Sequence, residues 1–464
     1  MLLVFVLVTS ALSGQPALAQ GDDATSTRLD LTLRAAVELA LQQNPLSQAE
    51  QFEVERAAAL ASRVRAKVRF PTIGVAFNTG VVPEARGDIF YSPDTSKDLD
   101  GWGPFYKLDA GLFQNIFNFG KGSSAIRAAR GGLEVAERGR DSVRAQVAFE
   151  VARAYLAVVW MGEAVSVAET LRESYAELVA RVEEKLMDPN STVDDADFLE
   201  VQTLEYEVER VYWESVDRHR LAKRGLALLL GLDPHTDIST SEVATPDFPV
   251  AAETLPRLER IGRDSNAEIQ RLRAAVGALG AKADLAKAQR YPDIILVGGI
   301  RWAYASNRTD QENPFAWDDF NYRRAGAFIG LRWDLTFWEH RLAARQARAE
   351  QETMARKLDA VVAKVDMELG EALTEARTSA TMLAVAHESL DSAESWLRVS
   401  WENLDLGIGE VRKLLRAYEA YFRLQGETIE RELDVNVALA RLALVLGDEN
   451  RFLQWVDDGV VTIE

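Results

Sequence analysis

Four histidines, His219, His235, His340 and His387, are the only side chains of this 464-residue chain whose ordinary titration falls near neutrality. Imidazoles suit proton transfer or metal binding, but no two of these stand at a metal-ligand spacing. His387-Glu388 opens like a zinc-binding helix and then lacks the second histidine. No G-x-S-x-G or Walker A pattern occurs. Carboxylate pairs are abundant, yet the chain has 72 acids against 53 bases and a net charge of −19, so they read as solvated helix faces. No enzyme chemistry, cofactor or metal is expected. The acidic balance also speaks against nucleic acid, because phosphate contacts need a basic surface. Cysteine is absent, which excludes disulfides, cysteine-ligated metals and an acylated cysteine.

With no site to serve, the elements themselves become the subject. Residues 1–19 form an apolar run followed by small residues and Ala17-Leu18-Ala19, the pattern of a secretory signal, although nothing charged precedes Asp22. Cleavage between Ala19 and Gln20 is expected. No later segment has 18 consecutive apolar residues, so no membrane-spanning helix is expected after the signal.

Repetition is the most informative feature beyond that point. Leu41-Gln42-Gln43-Asn44-Pro45 has a counterpart in Arg263-Asp264-Ser265-Asn266-Ala267, and Phe70-Pro71 has one in Tyr291-Pro292, 221 residues later. Leu230-Gly231 and Leu446-Gly447 close the two halves. The chain therefore reads as an internal duplication, 20–240 and 241–464. Each half runs helix, β-hairpin, long helical hairpin. The first has a helix over 31–68 with a break at Asn44-Pro45, a β-hairpin over 72–117 and a helical hairpin over 121–231. The second has a helix over 255–290, a β-hairpin over 293–335 and a helical hairpin over 340–456. A helix of sixty-five residues is a rod about 100 Å long. The apolar seam from Met354 to Leu404 covers 50 residues in 14 steps, about 3.57 per step, which implies a gentle left-handed supercoil.

A soluble coiled coil would fit the helices alone; the strands argue otherwise. Ile73, Val75, Phe77 and Val81 share one face. Tyr106, Leu108, Ala110 and Leu112 do the same in the return strand, as do Leu296, Ile300, Trp302 and Tyr304, and Ala325, Ala327, Ile329 and Leu331. The opposite faces are small or polar, with Lys107, Asp109, Arg301, Arg324, Arg332 and Asp334 assigned to a lumen. Alternation over about ten residues is the transmembrane-barrel pattern. Four strands cannot close a barrel, and lipid does not tolerate an open edge. Copies must therefore combine, two giving eight strands or three giving twelve.

The combination of signal, duplicated halves, two β-hairpins and two long helical hairpins resembles the TolC-like outer membrane efflux proteins. The opening motif Leu31-Thr32-Leu33-Arg34-Ala35-Ala36-Val37-Glu38, the Phe70-Pro71 turn and Phe117-Asn118-Phe119-Gly120 are similar to that family's landmarks. The resemblance implies a mainly α protein with transmembrane β: a homotrimer whose 12-stranded barrel, four strands per subunit, sits in outer-membrane lipid and continues into a periplasmic α-helical barrel. It also implies a periplasmic adaptor (membrane fusion) protein and an inner-membrane transporter as partners, in efflux or type I secretion. The far ends of the helical hairpins would form the periplasmic gate or adaptor-docking tips: Asp194, Asp195, Asp197 and Glu200 on the first, Gly407, Gly409, Arg412, Lys413 and Arg416 on the second. The family often carries acids where this chain has Lys413 and Arg416. Acidic and basic tips are therefore expected to alternate and to lock the entrance by salt bridges. The competing reading is a periplasmic coiled-coil adaptor or scaffold.

Overall fold

The computed structural model describes residues 28–85, 99–188, 193–248, 255–308, 318–448 and 450–461. The expected cleavage site, Ala19 and Gln20, lies outside the described residues. After a short strand β1 (Leu29–Leu31), helix α1 (Leu33–Gln43) starts where the Thr32 hydroxyl accepts from the Ala35 N–H at 3.2 Å. Pro45 bars Asn44 from helical geometry, and its ψ is 128°. Asn44 Oδ1 then accepts from the Leu46 N–H at 2.9 Å and opens α2 (Pro45–Arg69), which has Pro in its first turn. Pro71 ends α2 by the same restriction on Phe70.

Strands β2 (Thr72–Val82) and β3 (Gly103–Phe117) follow, then α3 (Lys121–Leu186), entered through Phe119 at φ 49° and Gly120 at φ 89°. The chain returns as α4 (Asp195–Thr203) and α5 (Glu205–Leu229), a helix expected to be continuous but divided at Leu204. Strand β4 (Ile238–Thr240) pairs in parallel with β1. The second half gives α6 (Leu255–Ser265), α7 (Ala267–Ala288), β5 (Asp293–Ala305), β6 (Tyr322–Arg332), α8 (Phe337–Asp405), α9 (Val411–Leu446) and α10 (Arg451–Asp458).

The two β-hairpins are one sheet, in the order β2-β3-β5-β6 and antiparallel throughout. Rods α3 and α8 run the whole helical length. Next to the sheet they pack with α2 and α7, in the order α2-α3-α7-α8; toward the far end the order is α5-α3-α9-α8. Where the two levels meet, β1, β4, α1, α6 and α10 wrap the rods around a core that includes Val37, Val151, Leu156, Leu369, Leu439 and Trp455. The Tyr155 hydroxyl ties this belt to α3, donating to the Leu31 carbonyl and accepting from the Ser241 N–H, each at 2.8 Å. Burial pushes that phenol's pKa up. One stretch of α3 is apolar enough by composition to cross a membrane, and the same helix contributes Val147, Val151, Tyr155 and Trp160 to this core.

Two joints in the belt have the same construction. Asn44 Nδ2 donates to the Leu229 carbonyl at 2.9 Å, and Asn266 Nδ2 donates to the Val445 carbonyl at 3.0 Å. Asn266 Oδ1 in turn accepts from the Glu268 and Ile269 N–H groups and opens α7. Opposite each asparagine a returning helix ends on a left-handed glycine, Gly231 at φ 73° and Gly447 at φ 86°. A Cβ on Gly231 would stand 2.9 Å from the Gln43 carbonyl oxygen, and one on Gly447 2.6 Å from Asn266 Cα. Only glycine allows so close an approach.

Candidate channel wall and helical tips

Register decides which side chains share a face of the sheet. Asp109 pairs with Ala76 and Arg301, and Arg301 pairs with Arg324, so these charged groups form one row. Lys107 lies in the adjoining row with Asn78, Ala303 and Tyr322. On the side nearer the helices a row of four glycines, Gly74, Gly111, Gly299 and Gly326, crosses every strand. The other face carries Val75, Ala110, Ile300 and Ala325 in one row, and Phe77, Leu108, Trp302 and Arg323 in the next. The Asp109 row and these aliphatic rows therefore lie on opposite faces of the sheet. Tyr106 pairs with Tyr304 toward the loop end, and Tyr304 stacks on Trp302 at 6.2 Å. Arg323 stands near that end, where a long cationic chain reaches water.

Two residues expected in the lumen have other duties. Asp293, the buried first residue of β5, accepts from Lys121 Nζ at 2.8 Å and from Arg332 Nη2 at 3.2 Å. Arg332 is thus part of a network holding the first residue of α3 to the ends of two strands. Asp334 lies beyond β6, which stops at Arg332; it accepts from the Thr336 N–H at 3.0 Å and hydroxyl at 2.8 Å in a turn that leads into α8. A turn residue, not a strand residue, occupies that position. At the opposite end of the sheet Arg308 and Asp318 pair at 2.9 Å, largely buried, and Arg308 also reaches the Pro83 carbonyl.

At the far end of the rods the two tips meet through Tyr175, Leu178, Val182, Val201, Leu404, Val411 and Leu414. Asp194 and Asp197 form a capping box on α4: Asp194 Oδ1 accepts from the Asp197 N–H at 2.9 Å, and Asp197 Oδ2 from the Asp194 N–H at 3.3 Å. Asp195 is exposed in the same turn. Glu200 alone of the four acids reaches the second tip, 3.4 Å from Arg412. Lys413 pairs within its own turn with Glu410 at 2.9 Å and, by that hydrogen bond, holds the Glu410 carboxyl below its ordinary pKa. Arg416 is exposed and has no ion pair among the described residues. Gly407, at φ 74°, and Gly409, where a Cβ would lie 2.6 Å from the Leu404 nitrogen, shape the turn.

Three residues at this end escaped the sequence reading. Arg181 stands 3.4 Å from Asp405, and Lys185 Nζ donates to the Asp405 carbonyl at 2.9 Å, so α3 is tied to the end of α8. Nothing in their spacing marks them, because the contact joins residues more than two hundred positions apart. Tyr418 is buried between the hairpins and donates to the Leu171 carbonyl at 3.1 Å, with its pKa driven well up by burial.

Comparison with solved structures shows what this architecture is similar to. The VceC outer membrane protein of Vibrio cholerae aligns over 90% of this chain and 96% of its own, at 18% identity and a TM-score of 0.70. The CmeC outer membrane channel of Campylobacter jejuni aligns over 92% and 89%, at 15% identity and a TM-score of 0.70. The open state of the MtrE outer membrane channel of Neisseria gonorrhoeae aligns over 90% and 89%, at 16% identity and 0.70. Comparison with curated proteins gives no match. Residues 262–448 match the family model described as outer membrane efflux protein. The chain has the fold of these outer-membrane channels. Among the described residues no cluster of histidines and carboxylates could hold a metal ion.

Proposed function

We propose that three copies of this chain close into a 12-stranded barrel and a continuous helical tube, a passive trans-periplasmic duct for efflux or type I secretion. The observation that carries the reading is the pair of open edges at every level. Among the described residues β2 and β6 each have a neighbour on one side only, as do α5 and α8 in the rod layer. One edge comes from each half of the chain, as a duplication would leave them. Tyr206, Trp213 and Leu228 are exposed along α5, and Met382, Trp396 and Val399 along α8, an apolar seam on each free side. A head-to-tail ring pairs β6 with β2 and α8 with α5 of the next copy. Eight strands leave an interior about wide enough for side chains, so a conduit favours twelve.

The energy would come from an inner-membrane transporter, reached through a periplasmic adaptor that docks on the helical tips; the chain has no nucleotide-binding motif of its own. Cross-tip pairs at Arg412–Glu200 and Arg181–Asp405 support a gate at the periplasmic end. The test is fractionation followed by electrophoresis. Trimers that resist detergent and dissociate only on heating, found in the outer-membrane fraction, are expected. Release by osmotic shock as a water-soluble monomer would sink the duct and favour the scaffold reading.

A further inference from the structure

We propose that the bore of the closed barrel holds a groove for planar aromatic solutes in transit, walled on the helix side by Phe113, Val297 and Phe328 and floored by the glycine row. The inference rests on the three-copy duct described above. In that duct the face bearing Asp109 and Arg301 lines the bore, because charged side chains facing lipid at mid-bilayer are costly. Register puts three rows of different chemistry on this one face. Asp109 pairs with Arg301 in the row toward the loops. Next come Gly74, Gly111, Gly299 and Gly326, and then, toward the helices, Thr72, Phe113, Val297 and Phe328. A strand rises about 3.3 Å per residue, so the polar and aromatic rows stand about 13 Å apart with only glycine between them on this face.

The floor is open and the aromatic wall is wet. A Cβ on Gly74, Gly111 or Gly326 would meet no atom within 4 Å, so a flat molecule can lie directly on the peptide planes. Phe328 is 60% exposed although it shares its face with charged groups, and apolar surface left open beside a polar rim marks a place where something binds. One row nearer the helices, a Cβ on Gly330 would stand 3.6 Å from the Phe328 ring, so the glycine leaves that ring room. The Arg332 guanidinium lies over the Phe113 ring at 5.2 Å and is itself held by Asp293 at 3.2 Å, which fixes the second aromatic plane from the helix junction. A solute of fused flat rings with polar edges matches all three rows. Its rings meet phenyl groups and backbone, where stacking adds to area burial, and its edge meets Asp109 and Arg301.

The test uses full-length trimers in planar bilayers, with caffeine as a neutral planar probe and glucose as a non-aromatic control. Partial current block by caffeine, insensitive to salt, and none by glucose are expected. Phe328→Ser should raise the caffeine concentration for half block at least fivefold, and Gly326→Val, which fills the floor, should do the same; heat-modifiable trimers check that each variant assembles. Because the chain has no cysteine, Phe328→Cys supplies a second reading: a membrane-impermeant thiol reagent should modify it and lower the conductance. Conducting trimers that ignore caffeine, that respond equally to glucose, that are blocked alike with and without the substitutions, or whose introduced thiol stays unreactive would overturn the groove and leave the duct standing. Absence of any conducting trimer would overturn the duct, and the groove with it.

Discussion

Glu432, in the middle of α9, shows what burial does to a single group in these rods. Its carboxyl is pushed above the ordinary value, first by desolvation and then by Glu163, with His387, 3.7 Å away, acting in the opposite sense. A carboxyl whose folded pKa exceeds its unfolded one adds stability that is complete below the unfolded value and is lost as pH rises through the folded value. The melting temperature of the solubilised protein should therefore gain more from mild acidification than that of Glu432→Gln, and the variant should be the more stable of the two above neutrality. Equal pH profiles for the two proteins would refute this. At this scale sequence reading reached the types of the important residues but seldom their partners. It put Arg412 and Glu200 on facing tips, where they do meet, yet it singled out Lys413, which is held within its own turn by Glu410. Long side chains on exposed turns choose among several neighbours by geometry that spacing does not encode.

Among the elements, the paired asparagine and glycine joints are where local sequence and tertiary packing agree. Asn44-Pro45 was legible as a break because proline constrains the residue before it. Asn266 lacks the proline and was legible only as the counterpart of Asn44; the continuous helix expected over 255–290 is divided there into α6 and α7. Strands β1 and β4 have three residues each, too few for alternation to show. Asn266→Ala removes a helix cap together with a bond to the Val445 carbonyl and should cost about 1–2 kcal/mol. Gly447→Ala should cost at least as much, since a left-handed backbone alone is worth about 1–2 kcal/mol and the new Cβ would also press on Asn266. Chemical unfolding of both variants checks this; wild-type stability in Gly447→Ala would show that the joint is not tight.

On the scale of the whole molecule, long rods and alternating strands were the most legible features, because period and length survive wherever the neighbours stand. Which strands of the two β-hairpins adjoin was not legible, since pairing β3 with β5 spans more than 170 residues. The proposed gate belongs to this scale as well. An exposed pair contributes about 0–1 kcal/mol, so only links repeated around a ring could hold an entrance closed. Arg412→Glu with Arg181→Glu should raise single-channel conductance, whereas Lys413→Glu, which breaks only a bond within one turn, should leave it near the wild-type level. Unaltered conductance in the double variant would argue that the tips serve adaptor docking alone.

The unpaired margins of β2 and β6 also bear on biogenesis. A lone subunit placed in acyl chains would leave two rows of amide and carbonyl groups without partners, at a penalty of several kcal/mol for each orphaned group. In the proposed duct, insertion before encounter is thereby disfavoured, so sibling chains would collect on the periplasmic side and enter the bilayer together. Bilayer entry then depends steeply on how many copies are present at once, and a scarce subunit would be left to the proteases that patrol that compartment.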